Sequence, residues 1–344
     1  MPEPLNTRAG IIAAGNWIVD HVKVIDRWPS QDSLANILRQ HASNGGSAYN
    51  VLKDLARMGA PFPLEAVGLV GDDEGGRFIR EDCTRHRIDV TRLRRTPAAP
   101  TSYTDVMTEQ ASGRRTFFHC RGANAELAPE HFDFDGSRAR IFHLGYLLLL
   151  DGLDAPGASG TAAADVLRAA QAAGLKTSAD LVSEISARVA GIVRPALPHL
   201  DYLFLNELEL TQVTGIETVC EGAVVPELVA RAAVQVAGGG VREWVFVHFP
   251  AAVLACNAHG ETHWQPALQL PAGYVQGAVG AGDALASGVL YALHEGLPVA
   301  EALTLGVCTA AASLAHPTCS EGVRPALECL ALADQFGYQP FVSP

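Results

Sequence analysis

Apolar positions fall along the chain in two rhythms. Short, nearly continuous runs at Ile11–Ala14, Leu64–Gly71, Ile141–Leu150, Lys176–Asp180, Tyr202–Asn206 and Trp244–Phe249 are what parallel strands buried on both faces require. Between them the spacing turns helical. Ala48 to Arg57 forms one helix, with Gly59 as its stop, and Phe78, Ile79 and Cys83 mark the inner face of the next. Ala162, Val166, Ala169, Ala170 and Ala173 recur before Gly174, and Pro226 opens a helix that ends at Gly238-Gly239-Gly240. The alternation predicts an α/β fold, a doubly wound parallel sheet flanked by helices with right-handed crossovers. Two polar, strand-like stretches, 20–46 and 100–122, break the alternation. They are expected to pair into a small separate sheet covering one edge. No internal repeat is present.

Length and charge narrow the class. The 344 residues allow two domains or one large α/β unit with an embellishment, and 48% hydrophobic against 18% charged residues argues against disorder. Lys and Arg number 25 against 37 Asp and Glu, a formal charge of −12. The dense basic runs, Arg85-His86-Arg87 and Arg92, Arg94, Arg95, read as solvated helix and loop faces, which argues against a nucleic-acid partner. Seven scattered cysteines without a C-x-x-C pair point to reduced thiols. The N-terminus from Met1 to Arg8 carries no charged-then-apolar signal, and the aliphatic run Tyr146–Leu150 is too short to span a bilayer. The expectation is a soluble cytoplasmic protein without a membrane partner.

The strongest local signal is Gly277-Ala278-Val279-Gly280-Ala281-Gly282-Asp283. Leu285, Val289 and Leu293 follow at helical spacing, so a helix starts at about Ala281 or Asp283 and ends near Gly296-Leu297-Pro298. A Gly-rich turn feeding a helix leaves backbone N–H groups unpaired, and these donors with the helix dipole favour an anion. Asp283 then stands where a carboxylate can take a proton from an attacking hydroxyl. The plainer reading makes Gly280-Ala281-Gly282 a tight turn with Asp283 as its N-cap. No Lys follows the glycines and no G-x-G-x-x-G follows the first strand, so neither a P-loop nor a dinucleotide fingerprint is present. The latter disfavours a nicotinamide dehydrogenase.

Other polar groups collect at strand ends. Asp20 lies five residues beyond the first strand, Asn44-Gly45-Gly46 leads to Asn50 at a helix start, and Asn206 and Glu209 follow a buried strand. In parallel sheets these ends converge on one rim, where ligands bind. Taken in order, the pieces resemble the ribokinase (PfkB) family of sugar and nucleoside kinases, from about Ile12 to about Arg324. Gly280-Ala281-Gly282-Asp283 matches the family's C-terminal motif, Asn206 and Glu209 its Asn-x-x-Glu, and Gly45, Gly46 and Asn50 its N-terminal Gly-Gly with Asn four on. Gly71-Asp72-Asp73, Gly122-Ala123-Asn124 and a closing helix Ala302–Ala315 also fit.

The resemblance implies a single kinase domain over 1–344, with 20–46 and 100–122 as lid inserts, and an ATP-dependent phosphotransfer to a hydroxymethyl group of a small sugar. It implies Asp283 as base, with the N–H groups of Gly280, Ala281 and Gly282 as the hole that neutralises the moving γ-phosphoryl. Asp20, Gly46 and Asn50 would hold the sugar hydroxyls. Asn206 and Glu209 would orient the nucleotide phosphates and magnesium-bound water, Glu209 reaching Mg²⁺ through water. Family lids that pair between subunits imply a homodimer. A nucleoside acceptor is the close alternative, since Gly15-Asn16, an aliphatic pair and Asp20 resemble adenosine kinases. A non-catalytic sugar- or nucleotide-binding homologue is the other.

Two departures bear on that alternative. Gly277-Ala278 replaces the Asp-Thr of the family motif, which leaves a potassium-type activating ion in doubt. At Val245–Val253, His248, Pro250 and Val253 stand where many relatives carry Thr-x-Gly-x-x-Gly. His248 is either a phosphate ligand or a satisfied histidine at a strand end. Asp180 ends a strand on the same rim. Arg115, His119, Arg121 and Asn124 surround the second insert, as candidates for substrate selection or as plain lid charges. Tyr103 and Trp17 would stack on a base or sugar or pack the lid, and His41, His119 and His143 lack metal spacing and read as structural.

Overall fold

The computed structural model describes residues 8–344. Residues 1–7, on which the reading of the N-terminus rests, lie outside the described residues. In chain order come β1 (Ile11–Gly15), β2 (Ile18–Ile25), β3 (Ile37–Gly45), α1 (Ser47–Arg57), β4 (Leu64–Gly71), α2 (Glu74–Arg85) and β5 (Asp89–Thr96). Then follow β6 (Ser102–Glu109), β7 (Arg115–Cys120), β8 (Ile141–Leu147), α3 (Ala162–Ala172), β9 (Lys176–Leu181), α4 (Val189–Ala196) and β10 (Tyr202–Asn206). The last third holds α5 (Glu207–Thr214), α6 (Pro226–Ala237), β11 (Trp244–Phe249), β12 (Ala252–Cys256) and β13 (Thr262–Pro266). It closes with α7 (Ala281–His294), α8 (Val299–Ser313) and α9 (Ala326–Phe336).

Nine strands form the main sheet in the order β13-β12-β11-β10-β9-β8-β1-β4-β5. From β11 to β5 every pairing is parallel, while β12 and β13 run antiparallel at one edge. A parallel sheet needs both faces covered, and the period-two alternation of β1 shows how. Ile12 and Ala14 point into a core shared with α3, α4 and α6, and Ile11 and Ala13 into one shared with α1, α7 and α8. That is the doubly wound sheet the sequence predicts.

Two expectations need correction. Arg92, Arg94 and Arg95 lie on strand β5, not on a helix or loop: an edge strand tolerates charge, and Arg92 and Arg95 pair with Glu65 and Asp72. The run read as one strand to Leu150 ends at Leu147, because the backbone turns left-handed at Tyr146 and Leu148. The edge strands β12 and β13 answer to no sequence expectation.

The two inserts do pair. They form a separate four-stranded sheet, order β3-β2-β6-β7, with β2 and β6 parallel and the other pairings antiparallel. Side chains alternate across it. One face carries Ile18, Asp20, Thr104, Arg115, Phe117 and His119, all of which line the main cavity. The opposite face carries His21 stacked on Tyr103 and Phe118 stacked on Trp28. Among the described residues no helix is long and apolar enough to cross a membrane, and all seven cysteines are unpaired.

Candidate active site

Because β1, β8, β9, β10 and β11 are parallel, their C-terminal ends share one rim. Above it opens a cavity of about 1510 Å³ bounded by the insert sheet, by residues 275–283 and by α8. The loop before α7 makes a left-handed turn at Gly280 (φ 79°), where a Cβ would lie 2.7 Å from that of Cys319. Only glycine fits this turn. α7 begins at Ala281 with Gly280 as its N-cap, so Asp283 sits inside the first turn and is not the cap. Among the described residues the backbone N–H groups of Gly280, Gly282 and Asp283 have no partner, whereas that of Ala281 leans on the Ala278 carbonyl at 3.4 Å. The start of α7 therefore offers free donors to an anion.

Asp283 is 4% exposed. Its Oδ2 accepts from Asn50 Nδ2 at 2.7 Å and from the Tyr146 hydroxyl at 2.9 Å. Burial, and then the charge of Asp180, push its carboxyl up to about 7, and the two hydrogen bonds ease it back. A carboxylate with that proton affinity is suited to take a proton near neutral pH. Asn50 is itself held: Asn44 Nδ2 donates to Asn50 Oδ1 at 2.7 Å and to Ser320 at 2.8 Å, and Lys53 bonds Asn44 Oδ1 at 3.2 Å.

Asp20, Gly46 and Asn50 come together beside Asp283, as expected. Gly46 has φ 85°, and a Cβ there would meet the Asn16 carbonyl at 2.5 Å. Asp20 is buried against Thr104 and Cys319, and burial raises its carboxyl to about 7. His119 bonds Thr104 at 3.0 Å through Nδ1, while its Nε2 is buried without a partner among the described residues. Arg115 reaches from β7 to Gly277, where a Cβ would stand 2.8 Å from the guanidinium, so the missing Asp side chain leaves that space to the arginine. Four neighbours do not take part. Trp17 is fully buried, its Nε1 bonded to the Val67 carbonyl at 2.9 Å, and cannot stack on a ligand. Asn124 is buried and bonds Asn16 and the Trp17 backbone, and Arg121 pairs with Asp151. Tyr103 lies on the sheet's other face.

Further along the rim, Asn206 and Glu209 close a capping box on α5. Asn206 Oδ1 accepts the Leu208 and Glu209 N–H groups at 3.0 and 2.8 Å, and Glu209 accepts from Asn206 N and Ser183 Oγ at 2.9 and 2.8 Å. The three-residue spacing thus first serves the helix. Burial raises Glu209 to about 8. With both oxygens engaged and no group of three His, Cys, Asp or Glu side chains among the described residues able to hold a metal, a divalent ion fits only through water and phosphate oxygens. That is the coordination magnesium favours. His248 has no hydrogen-bond partner among the described residues, and its ring lies 3.2 Å from where a Gly282 Cβ would be. It is not the satisfied strand-end histidine; burial holds it down at about 4, so it is neutral at pH 7. Phe249, Val253, Leu268, Leu270, Ala311 and Leu314 give the cavity an apolar slot.

Sequence reasoning missed Tyr146, Ser47 and the role of His143. Tyr146 opens a run of four leucines, and its polar tip at a strand end was the only signal. His143 is fully buried beneath the cavity floor, bridging Ser178 and Ser47 at 3.0 Å each.

A nine-stranded doubly wound sheet with a second sheet over its rim is the ribokinase-like α/β arrangement. The structure of Arabidopsis thaliana ribokinase complexed with ribose and ATP superposes on it with a TM-score of 0.78 at 21% identity, over 94% of this chain and 98% of that one. Residues 13–326 match the pfkB family of carbohydrate kinases, and the chain belongs to that family. An ATP-dependent ribose-1-phosphate kinase of Halopiger xanaduensis is 30% identical over 200 residues, 58% of this chain and 62% of that protein, so the chain spans less than two thirds of this relative's length. A ribokinase of Arabidopsis thaliana is 25% identical over 309 residues, 88% of this chain and 75% of its own length.

Proposed function

We propose that the chain transfers the γ-phosphoryl of ATP to a hydroxymethyl group of a small sugar, acting as one kinase domain whose inserts 20–46 and 100–122 form a lid. The observation that carries this reading is the pairing of a buried carboxylate, Asp283, with the unpaired N–H groups of the same first turn of α7. Asp283 takes the acceptor proton through Oδ1, which has no hydrogen bond from the described residues. The free N–H groups of the Gly280–Gly282 loop meet the charge that develops on the phosphoryl oxygens, and neutral His248 adds a donor beside them. Asp20, Asn50 and the Gly46 backbone hold sugar hydroxyls. The apolar slot takes the adenine, and Asn206 and Glu209 order water about the phosphates. Bound Mg²⁺ would neutralise phosphate charge, held through water on the Glu209 side. Closure of the insert sheet would exclude water, so that ATP is not hydrolysed instead.

The exposed apolar side chains of the insert sheet, Trp28, Ile37, Leu38 and Phe118 among them, and its open β3 edge support a homodimer formed through the lid. The relatives named for ribose and ribose 1-phosphate favour a pentose-type acceptor over a nucleoside, and the protein would act in the cytoplasm.

The test is ATP consumption with Mg²⁺ against a panel of sugars, sugar phosphates and nucleosides, with ³¹P NMR of the product. One sugar stimulating turnover and appearing as a phosphate ester on its hydroxymethyl carbon is expected. ATP binding with no stimulation by any acceptor would move the non-catalytic reading ahead.

A further inference from the structure

The end of β8 is held in a backbone conformation that its residues do not favour. Tyr146 (φ 52°) and Leu148 (φ 81°) are both left-handed without being glycine or asparagine. Such residues carry a conformational cost and persist only where the surroundings fix them. Here each is gripped by a carboxylate. Asp180 Oδ1 accepts the Tyr146 N–H at 2.7 Å, and Asp154 Oδ1 accepts the Leu148 N–H at 3.0 Å. Asn16 holds the Gly145 and Tyr146 carbonyls from the other side at 3.2 and 3.3 Å. Arg188 bonds the Leu148 carbonyl at 2.5 Å and approaches Asp154 at 3.4 Å. Asp180 is anchored in turn: Ser47 donates to its Oδ2 at 2.6 Å, and His143 stands 3.6 Å from the same oxygen.

This scaffold has one outcome at the cavity. It aims the Tyr146 hydroxyl at Asp283 Oδ2. Both fixed donors, Tyr146 and Asn50, fall on that oxygen, so Oδ1 is the one turned to a ligand.

We infer that Tyr146 is a positioning residue for Asp283: the Asp180 grip on its backbone aims the phenol, and the phenol locks one carboxylate oxygen so that the other faces the acceptor hydroxyl. The inference rests on the phosphotransfer reading above. The phenol is suited to the task because burial and the nearby carboxylates hold its own ionisation well above the ordinary tyrosine range, so it donates at every working pH. The charged and titratable groups facing Asp283 are Asp20 from β2, Asp54 from α1, His143 from β8, Asp180 from β9, Glu209 from α5 and Cys319 from the loop after α8. The carboxylates oppose ionisation of Asp283, and His143 assists it. Tyr146 and Asn50 are the hydrogen-bond donors that favour the charged form.

Two substitutions therefore act in opposite directions. Tyr146→Phe removes one donor, and the acid limb of kcat/KM should move up by about one pH unit, with roughly a fivefold loss at pH 7 that shrinks at pH 9. Asp180→Asn keeps an oxygen for the Tyr146 N–H and removes a negative charge, and the limb should move down. The same midpoints are read without turnover by ¹³C NMR titration of labelled Asp carboxyls, with Asp283→Asn marking the resonance that disappears. A pH-independent loss in Tyr146→Phe, or limbs that move the same way in both variants, would overturn the positioning role. A wild-type chain that phosphorylates no acceptor, yet shows the opposed NMR shifts, would sink the phosphotransfer reading and leave the Tyr146–Asp283 linkage standing. Absent shifts in both measurements would sink the linkage alone if turnover is present.

Discussion

Replacing Asp283 by Asn should stabilise the fold while abolishing the chemistry. Its Oδ2 receives two hydrogen bonds, and an amide oxygen can still accept both, though less strongly than a carboxylate. What the substitution removes is a charge that burial and Asp180 oppose. The folded carboxyl holds its proton up to about 7, against an ordinary 3.8. That difference, roughly three units at about 1.4 kcal/mol each, sets a ceiling of about 4 kcal/mol. The sign follows from the raised value. Below pH 4 both folded and unfolded chains are protonated and the wild-type carboxyl costs nothing. As the pH rises to 7 the unfolded chain ionises first and the folded state loses ground, until the full penalty is present at pH 8. With an unfolding entropy of about 2 cal/mol/K per residue, the variant should melt up to about 5 °C above wild type at pH 8 and close to it at pH 4.5. Turnover should fall by about 10² to 10⁴. The assay is a melting series from pH 4.5 to 9 beside steady-state kinetics. A variant that melts below wild type at pH 8, or a difference that does not change with pH, would refute the reasoning.

Two further outcomes follow from backbone and surface. Gly46→Ala puts a Cβ 2.5 Å from the buried Asn16 carbonyl at a left-handed position, so it should destabilise by about 3 kcal/mol and raise the acceptor KM by displacing the start of α1 with Ser47 and Asn50. Melting temperature and KM check it; an unchanged KM would detach Gly46 from the acceptor side. Phe118→Asp combined with Ile37→Asp should convert a dimer to a monomer in light scattering, because both side chains are about half exposed on the insert sheet; a wild-type chain already monomeric at 10 μM, a concentration chosen as about that of an ordinary assay, would dispose of the lid interface.

The runs that became β1, β4, β8, β9, β10 and β11 were legible because a strand buried on both faces must be apolar throughout. The insert sheet was legible as polar alternation. β5 was not, since an edge strand carrying Arg92, Arg94 and Arg95 reads like any solvated segment. β12 was not either, because Pro250 masked a short aliphatic strand that returns antiparallel. Among the candidate site residues, Asp283, Asn50, Asp20 and Gly46 stood out because their spacing relative to glycine-marked turns is local. The clasp on Tyr146 was invisible, since nothing in Leu144-Gly145-Tyr146-Leu147 announces a left-handed tyrosine, and its partner Asp180 lies on another strand. His248 showed its position but not its freedom from partners.

The sheet order has a consequence for how such a protein can change. β1, which leads into the insert sheet, and β11, which borders the apolar slot, are four strand steps apart, about 19 Å along the rim at 4.8 Å per step. On the proposed reading, most of the acceptor end would be drawn from residues 18–119 and the donor end from residues 204–314, the latter range including Asp283 and its loop. Exchange of one end leaves the other's walls intact. A graft of residues 18–50 and 102–120 from a relative of different preference would redirect which alcohol is served while the nucleotide half stays in place, so the two specificities can drift at separate rates along one chain.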